Sequence, residues 1–358
     1  MAKLRVGIVG AGNISALHAL TYEQDDRAQI VAVCDTNEDA AIERALAWGA
    51  KRFYNDFDEM IQDPEIDAIE ILTPNYLHAA HAIKALEAGK HVSVERPLAL
   101  SFEEADRVIK TAERVGRVLH VYEPCLFYKP LLDAHHLIKA GEIGTVTAIH
   151  FDAVIGKSRA PEWNFETLAQ TDAWRFDAEK VGGTPMLYDV GYQAFCMSLF
   201  LVGTSIERVS VWKGDTKVGP YTLDAPTTAM WKHFQQDIFG SLSLTYAPER
   251  KMNTDFYPLE FAIRVSGTRG DLHITRSSDP TSISPPVALD RSNRRVSYGQ
   301  KSTTFTDSFV RAGQNFIGAC LGQEEPLLRG AEAKQLLVLS TAYFESARRG
   351  RDIPLQHG

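Results

Sequence analysis

The chain has 358 residues, enough for two domains at roughly 100–200 residues each. Hydrophobic residues make up 44% and charged residues 23%, a composition suited to a folded protein with a sizeable core. Against 38 Lys and Arg stand 46 Asp and Glu, and residues 1–124 hold 13 of these cations and 21 of the anions, so the net charge of −8 falls entirely in the first third. So acidic a first third argues against nucleic acid as a partner, and no apolar run reaches the length of about 18 residues that crosses a bilayer. The start, Met1-Ala2-Lys3-Leu4-Arg5, leads at once into a Gly-rich turn, so no signal peptide and a cytoplasmic location are expected. Cys34, Cys125, Cys196 and Cys320 are widely spaced, the pattern of buried thiols rather than of a disulfide frame or a metal site, and no metal is expected.

Apolar strands and helical patterns alternate through the first third. Strands are expected at Leu4–Val9, Ile30–Cys34, Arg52–Tyr54, Ala68–Leu72, His91–Val94 and Val118–Tyr122. Helices are expected to about Tyr22 and over Asp39–Trp48, Asp56–Ile61, Leu77–Ala88 and Phe102–Val115. Strands this apolar, each followed by a helix, imply a parallel sheet covered on both faces. After about Pro124 the pattern changes. A helix over Leu131–Lys139 and a strand over Val146–Val154 precede a Trp-, Arg- and Gly-rich stretch, 163–183, and a helix near Gln193–Leu201. Alternating segments follow at Ile206–Trp212, Thr227–His233, Ile238–Tyr246 and Phe261–Val265, which imply an antiparallel sheet. Helices near Phe309–Cys320 and Ala331–Arg348 close the chain, and Ser277–Ser302 reads as a loop or irregular hairpin. The expected organisation is a doubly wound N-terminal domain, 1–124, and an α/β domain, 125–358.

Gly10-x-Gly12-x-x-Ser15 lies between the first strand and the first helix. Gly10 permits a tight turn, and Gly12 lets the backbone approach a pyrophosphate that the helix N-terminus stabilises. Asn13 and Ile14 complete that turn. Asp35 ends the second strand, 25 residues beyond Gly10, near the spacing of the acid that holds an adenosine ribose. Its carboxylate would repel a 2′-phosphate, and Thr36-Asn37-Glu38-Asp39 offers no cation to receive one. The expected cofactor is therefore NAD.

From here the residues resemble the glucose–fructose oxidoreductase, inositol dehydrogenase and MocA-like (Gfo/Idh/MocA) family. The resemblance runs through nearly the whole chain: Val6–Ile14, Thr73-Pro74-Asn75-Tyr76-Leu77-His78, Ala88 to Pro97, Leu137–Val146, Trp174-Arg175, Asp189-Val190-Gly191, Val265 to Gly270, and Ser346–Leu355. It implies an N-terminal Rossmann domain followed by an α/β domain on a large, open, mostly antiparallel sheet, whose face often joins a homo-oligomer. It also implies that Thr73, Asn75 and His78 run beside the cofactor riboses and that Glu95 lies close to the nicotinamide ribose. The bond before Pro97 is implied to be cis, with Trp174 and Arg175 reaching toward the cofactor.

Two departures bear on mechanism. Arg96 replaces the Lys of the family's Glu-Lys-Pro motif, and Asp-x-Gly-x-His-x-x-Asp reads Asp189-Val190-Gly191-Tyr192-Gln193-Ala194-Phe195-Cys196. A Lys with a lowered pKa shuttles protons; Arg only donates hydrogen bonds and charge, and Gln does not titrate. Three readings stay open. In the first, a hydride passes between NAD and a hydroxyl of a sugar, sugar acid or cyclitol, with Arg96 polarising the reacting oxygen. Tyr192, Tyr122, Tyr188 or Asp189 would then carry the proton, and Gln193 would contact substrate. The second is a redox-neutral, NAD-dependent glycoside hydrolase that transiently oxidises C3 of an anionic sugar, gripped by Arg96 with Arg159 or Arg175. The third is a non-catalytic NAD-binding sensor. Arg291, Arg294, Arg295 and Lys301 form a basic segment read as solvated surface. No Ser-His-Asp pattern is recognisable.

Overall fold

A strand apolar on both sides must be covered twice, and the first part of the chain is built from such strands. A computed structural model describes residues 3–277, 284–298 and 304–355. In it β1 (Leu4–Val9), β2 (Ala28–Cys34), β3 (Arg52–Tyr54), β4 (Ala68–Ile71), β5 (His91–Glu95) and β6 (Leu119–Tyr122) form a parallel sheet in the order β3-β2-β1-β4-β5-β6. The crossovers are α1 (Ser15–Gln24), α2 (Glu38–Trp48), α3 (Phe57–Ile61), α4 (His78–Glu87) and α5 (Phe102–Val115). Local chemistry sets the helix ends. Ser101 and Glu104 form a reciprocal capping box at the start of α5, and Gly116, in the left-handed region, stops it. The core packs Ile8, Val33 and Leu72 under α1 and α2, each such side chain stabilising the fold by roughly 1.5–3 kcal/mol relative to exposure.

Beyond β6 come α6 (Lys129–Lys139), β7 (Val146–Lys157), α7 (Phe165–Thr171), α8 (Ala178–Val181) and α9 (Tyr192–Val202). Then follow β8 (Ile206–Lys213), the short pair β9 (Thr216–Val218) and β10 (Tyr221–Leu223), β11 (Thr227–His233), β12 (Phe239–Lys251), β13 (Leu259–Gly267) and β14 (Gly270–Arg276). The chain closes with β15 (Val287–Arg291), β16 (Arg294–Tyr298), α10 (Thr306–Cys320), α11 (Gly330–Arg349) and β17 (Ile353–Pro354). Nine of these strands form one sheet in the order β16-β15-β14-β13-β7-β12-β11-β8-β17. Neighbours are antiparallel except β7 and β12, which run parallel. On one face α9 packs down, Phe195 meeting Trp231 at 5.2 Å. On the opposite face Trp212, Met230 and Phe239 are exposed.

Two compact units result: the described residues up to Pro124 with Thr306–Leu337, and Cys125–Phe305 with the residues from Val338 onward. The expectation of 125–358 as one continuous domain did not include this return. It follows from packing: Phe316 and Ile317 of α10 are fully buried against Leu4, Val6, Ala28 and Ala68, covering a sheet face that the preceding helices leave open. Within Ser277–Ser302 the described part is the β15–β16 hairpin, whose turn holds Ser292 and Asn293 at φ 50° and 60°, the left-handed pair that a two-residue hairpin loop needs. Residues 278–283 and 299–303 lie outside the described ones. Among the described residues no helix is long and apolar enough to cross a membrane.

Candidate active site

In a parallel sheet the ligand site lies at the carboxyl ends of the strands, and in the first unit every expected cofactor residue sits there. Gly10 follows β1 at φ +100°; a Cβ at that position would come 2.6 Å from the Leu72 carbonyl oxygen, so only Gly fits. A Cβ at Gly12 would meet nothing within 4 Å. The N-terminus of α1 has no side-chain cap, and its first N–H groups, those of Ser15, Ala16 and Leu17, reach back to the carbonyls of Gly12, Asn13 and Ile14. Asp35, after β2, accepts from the Ala11 N–H at 2.7 Å and the Asn37 N–H at 2.8 Å. It therefore ties the Gly-rich turn to the next loop while keeping carboxylate lone pairs for a further donor. The sequence reading missed one neighbour: Arg44 on α2 donates from Nε to the Ala11 carbonyl at 3.4 Å.

After β4 and β5 come Thr73 and Glu95-Arg96, and the Arg96–Pro97 bond is cis. His78 is fully buried, with Nδ1 2.7 Å from the Pro97 carbonyl and Nε2 2.7 Å from the Thr73 carbonyl. Both ring nitrogens thus face backbone carbonyls; burial lowers its pKa, and the neutral ring donates to one of them. The expectation that His78 touches the cofactor is corrected here: its side chain straps the two loops together. Asn75 is buried beside it in the same loop. Arg96 places Nε 3.3 Å from Glu123 Oε2 and 3.9 Å from Glu95 Oε1. Glu123, just past β6 and fully buried, was not singled out in the sequence. The signal was available, since it is an acid at the carboxyl end of a parallel strand, as Asp35 and Glu95 are.

In the second unit Asp189 lies on a single π-helical turn, Leu187–Gly191, ahead of α9. Its Oδ2 accepts from the Tyr257 hydroxyl at 3.0 Å, and its Oδ1 is 3.7 Å from Arg175 Nη1. Arg175 in turn stacks on Trp174, 5.0 Å from the ring centroid. Asp189, Arg175 and Trp174 lie in series; Tyr257, 68 residues from Asp189 in sequence, could not have been read from it. A second buried acid anchors the segment ahead of the turn. Asp224 accepts from Thr184 Oγ1 at 2.5 Å and the Met186 N–H at 2.9 Å, and burial pushes its carboxyl up to about 6.

Other expectations need correcting. Tyr122 is fully buried and donates to the Phe309 carbonyl at 2.5 Å, so it belongs to the first unit's core, not to a substrate. Tyr188 is buried and donates to the Gly182 carbonyl. Tyr192, at the start of α9, is 1% exposed. Gln193 is also buried, lining a small apolar cavity with Phe151, Val190, Met197 and Phe261; its Oε1 has no hydrogen-bond partner among the described residues. An α-helix turns about 100° per residue, and here consecutive positions are all buried because α9 is apolar on every side. Arg159 is exposed and paired with Asp255 through two bonds, 3.0 and 2.7 Å, so it is not an open anion receptor. In the basic segment Arg291 pairs with Glu142 and Arg295 with Asp290; Lys301 lies outside the described residues.

The arrangement has known counterparts. Residues 4–123 match the family profile described as "Oxidoreductase family, NAD-binding Rossmann fold", and residues 131–273 match the "GFO/IDH/MocA C-terminal domain". The chain belongs to the GFO/IDH/MocA family. Among its members, the "Myo-inositol 2-dehydrogenase" of Thermotoga maritima is 24% identical over 99% of both chains. The "2,7-anhydro-N-acetylneuraminate hydratase" of Mediterraneibacter gnavus is 30% identical over 60% of this chain and 54% of its own. The crystal structure of the WlbA dehydrogenase from Bordetella pertussis, in complex with NADH and UDP-GlcNAcA, superimposes with a TM-score of 0.79 over the whole of both chains at 24% identity, a match of fold. The resemblance read from Val6–Ile14, Thr73–His78 and Ala88–Pro97 onward is thus borne out, as is the NAD-binding Rossmann domain.

Proposed function

We propose that this GFO/IDH/MocA protein is an NAD-dependent oxidoreductase that transfers a hydride between the nicotinamide and a hydroxyl or carbonyl of a sugar, sugar acid or cyclitol. The observation that carries this reading is the convergence of Gly10, Gly12, Asp35, Thr73, Glu95 and Arg96 on the carboxyl ends of β1, β2, β4 and β5, in a family whose members include inositol and glucoside dehydrogenases. Bound NAD would supply the hydride chemistry itself. The protein's share is binding, orientation and proton handling.

Gly10, Gly12, Asn13 and Ile14 would cradle the pyrophosphate at the start of α1. Asp35 would take the adenosine ribose hydroxyls and discriminate against a 2′-phosphate, which favours NAD over NADP. Thr73, Asn75 and Glu95 would line the nicotinamide-ribose end. Arg96 cannot titrate at neutral pH, so it would hold the reacting oxygen by hydrogen bonds and charge. Asp189, oriented by Tyr257 and faced by Arg175, would be the proton acceptor. The exposed face of the large sheet would join a second copy of the chain.

A redox-neutral second reading keeps support from the relative named a hydratase and from Arg where the family usually has Lys. In that reading transient oxidation of a sugar acidifies the neighbouring C–H, and elimination follows. One assay separates the readings: purified protein with NAD and a panel of cyclitols, sugars and sugar acids, followed at 340 nm. Net NADH from a free polyol or sugar supports the dehydrogenase. Product release without net NADH, with solvent deuterium entering C2, replaces it by the redox-neutral reaction. NAD binding with neither turnover leaves a sensor.

A further inference from the structure

Five ionisable side chains of the first unit form an unbroken series. Glu70 on β4 faces His18 on α1 at 3.3 Å; His18 faces Glu95 at 3.3 Å; Glu95 lies 3.9 Å from Arg96, and Arg96 3.3 Å from Glu123. His18 is fully buried between the two carboxylates, Nδ1 toward Glu70 Oε1 and Nε2 toward Glu95 Oε2. Its ring lies 3.9 Å from that of Tyr122 on β6 and 5.7 Å from Phe309 on α10. Tyr22, on the same helix, sits beside Glu70, and His120 on β6 completes the titratable groups around it.

A neutral imidazole has one N–H and satisfies only one of two facing carboxylates. With an anion on each side, both nitrogens of His18 call for a proton. Burial opposes that charge, yet the two carboxylates prevail and hold His18 at about 9. Burial and the neighbouring His18 charge push His120 down to about 3, so it stays neutral and meets the Ser93 hydroxyl at 2.9 Å. The series therefore alternates in sign from Glu70 to Glu123.

We propose that His18 is a positioning residue of the cofactor site: as an imidazolium it fixes one oxygen of Glu95, and with it the orientation that Glu95 presents to the nicotinamide ribose. The inference rests on the reading of Glu95 as a cofactor contact. Taking away the cation alone leaves the buried Glu70 carboxylate and the partly exposed one of Glu95 facing one gap, where their like charges repel. Taking away the cation together with Glu70 leaves Glu95, Arg96 and Glu123 with the original charge balance.

The test uses the full chain. In ¹⁵N-histidine-labelled protein, the His18 ring stays doubly protonated to pH 8; a neutral His18 at pH 7 overturns the proposal without any variant. Calorimetry with NAD from pH 6 to 8.5 gives a flat affinity for the wild type. His18→Asn binds about tenfold more weakly at part of that range and acquires a pH dependence. His18→Asn with Glu70→Gln recovers to within about threefold and is flat again, which a purely space-filling role of His18 would not produce. Wild-type binding with unchanged, flat affinity in the single variant, or a double variant no better than the single, overturns the inference alone. Absence of NAD binding by the wild type overturns the reading of Glu95, and the inference with it, whatever the protonation of His18.

Discussion

Tyr257 donates its hydroxyl hydrogen to Asp189 Oδ2 at 3.0 Å, which leaves the other carboxylate oxygen turned toward Arg175. A carboxylate oriented by one neutral donor and one cation can receive a proton at a defined oxygen. Asp189→Asn should lower kcat by roughly 10²–10⁴, the contribution typical of a positioned acid–base group, with KM little changed. Tyr257→Phe should lower it by about tenfold, because only orientation is lost. Steady-state kinetics on any substrate found in the 340 nm assay check both; equal kcat values for wild type and Asp189→Asn would remove Asp189 from the mechanism.

Arg96 is the counter-ion of Glu123, whose side chain is wholly buried. Arg96→Ala takes the cation from that carboxylate, at a cost of about 3–5 kcal/mol in unfolding free energy. Glu123→Gln placed in the Arg96→Ala background should recover most of the loss, since the buried negative charge goes with it. Urea titrations of the three proteins measure this. A single variant as stable as the wild type would show that the pair does not contribute.

Asp224 predicts a pH effect on stability. Burial raises its folded-state value to about 6, above the value of about 3.9 for an unfolded Asp. Between those values the folded state binds more protons than the unfolded state, so Asp224 stabilises fully below about pH 4 and loses that contribution as pH climbs to about 6. Asp224→Asn, which keeps an acceptor for the Met186 N–H, should remove a change of about 3 kcal/mol across that window. Unfolding midpoints at pH 4, 5, 6 and 7 reveal it, and parallel curves for the two proteins would refute the assignment.

The exposed apolar face of the sheet predicts assembly. Trp212 pairs with Thr228 in register, one step diagonal from Met230, and Phe239 pairs with Lys232 on Met230's other side. The three side chains form one diagonal stripe over β8, β11 and β12, with the patch chemistry of an interface. Light scattering should find a dimer or larger species for the wild type and a smaller one for Met230→Glu. A monomeric wild type would refute the proposal.

The first unit was legible because most of its strands are apolar on both faces and helices follow them: Leu4–Val9 was placed to the residue, as was the short edge strand Arg52–Tyr54. β14 was missed, since Gly270–Arg276 alternates weakly and pairs with β13 through a two-residue Thr268-Arg269 turn. At the site, residues carried by a local spacing rule, Gly10, Gly12 and Asp35, fell where expected. Residues defined by distant partners did not. Tyr257 meets Asp189 across 68 positions, His18 meets Glu70 across 52, and no periodicity records such pairs. Tyr122 and Tyr192 carry polar groups that chemistry favours, but their positions in β6 and α9 are ones that packing claims.

The return of α10 to the first sheet has a consequence for synthesis. Leu4, Val6, Ala28 and Ala68 leave the ribosome early but wait for Phe316 and Ile317 to cover them. The segment made first is therefore among the last to be completed, and nearly the whole chain must be made before its apolar underside is shielded. A messenger truncated after Pro124 would yield a nucleotide fold with one face bare.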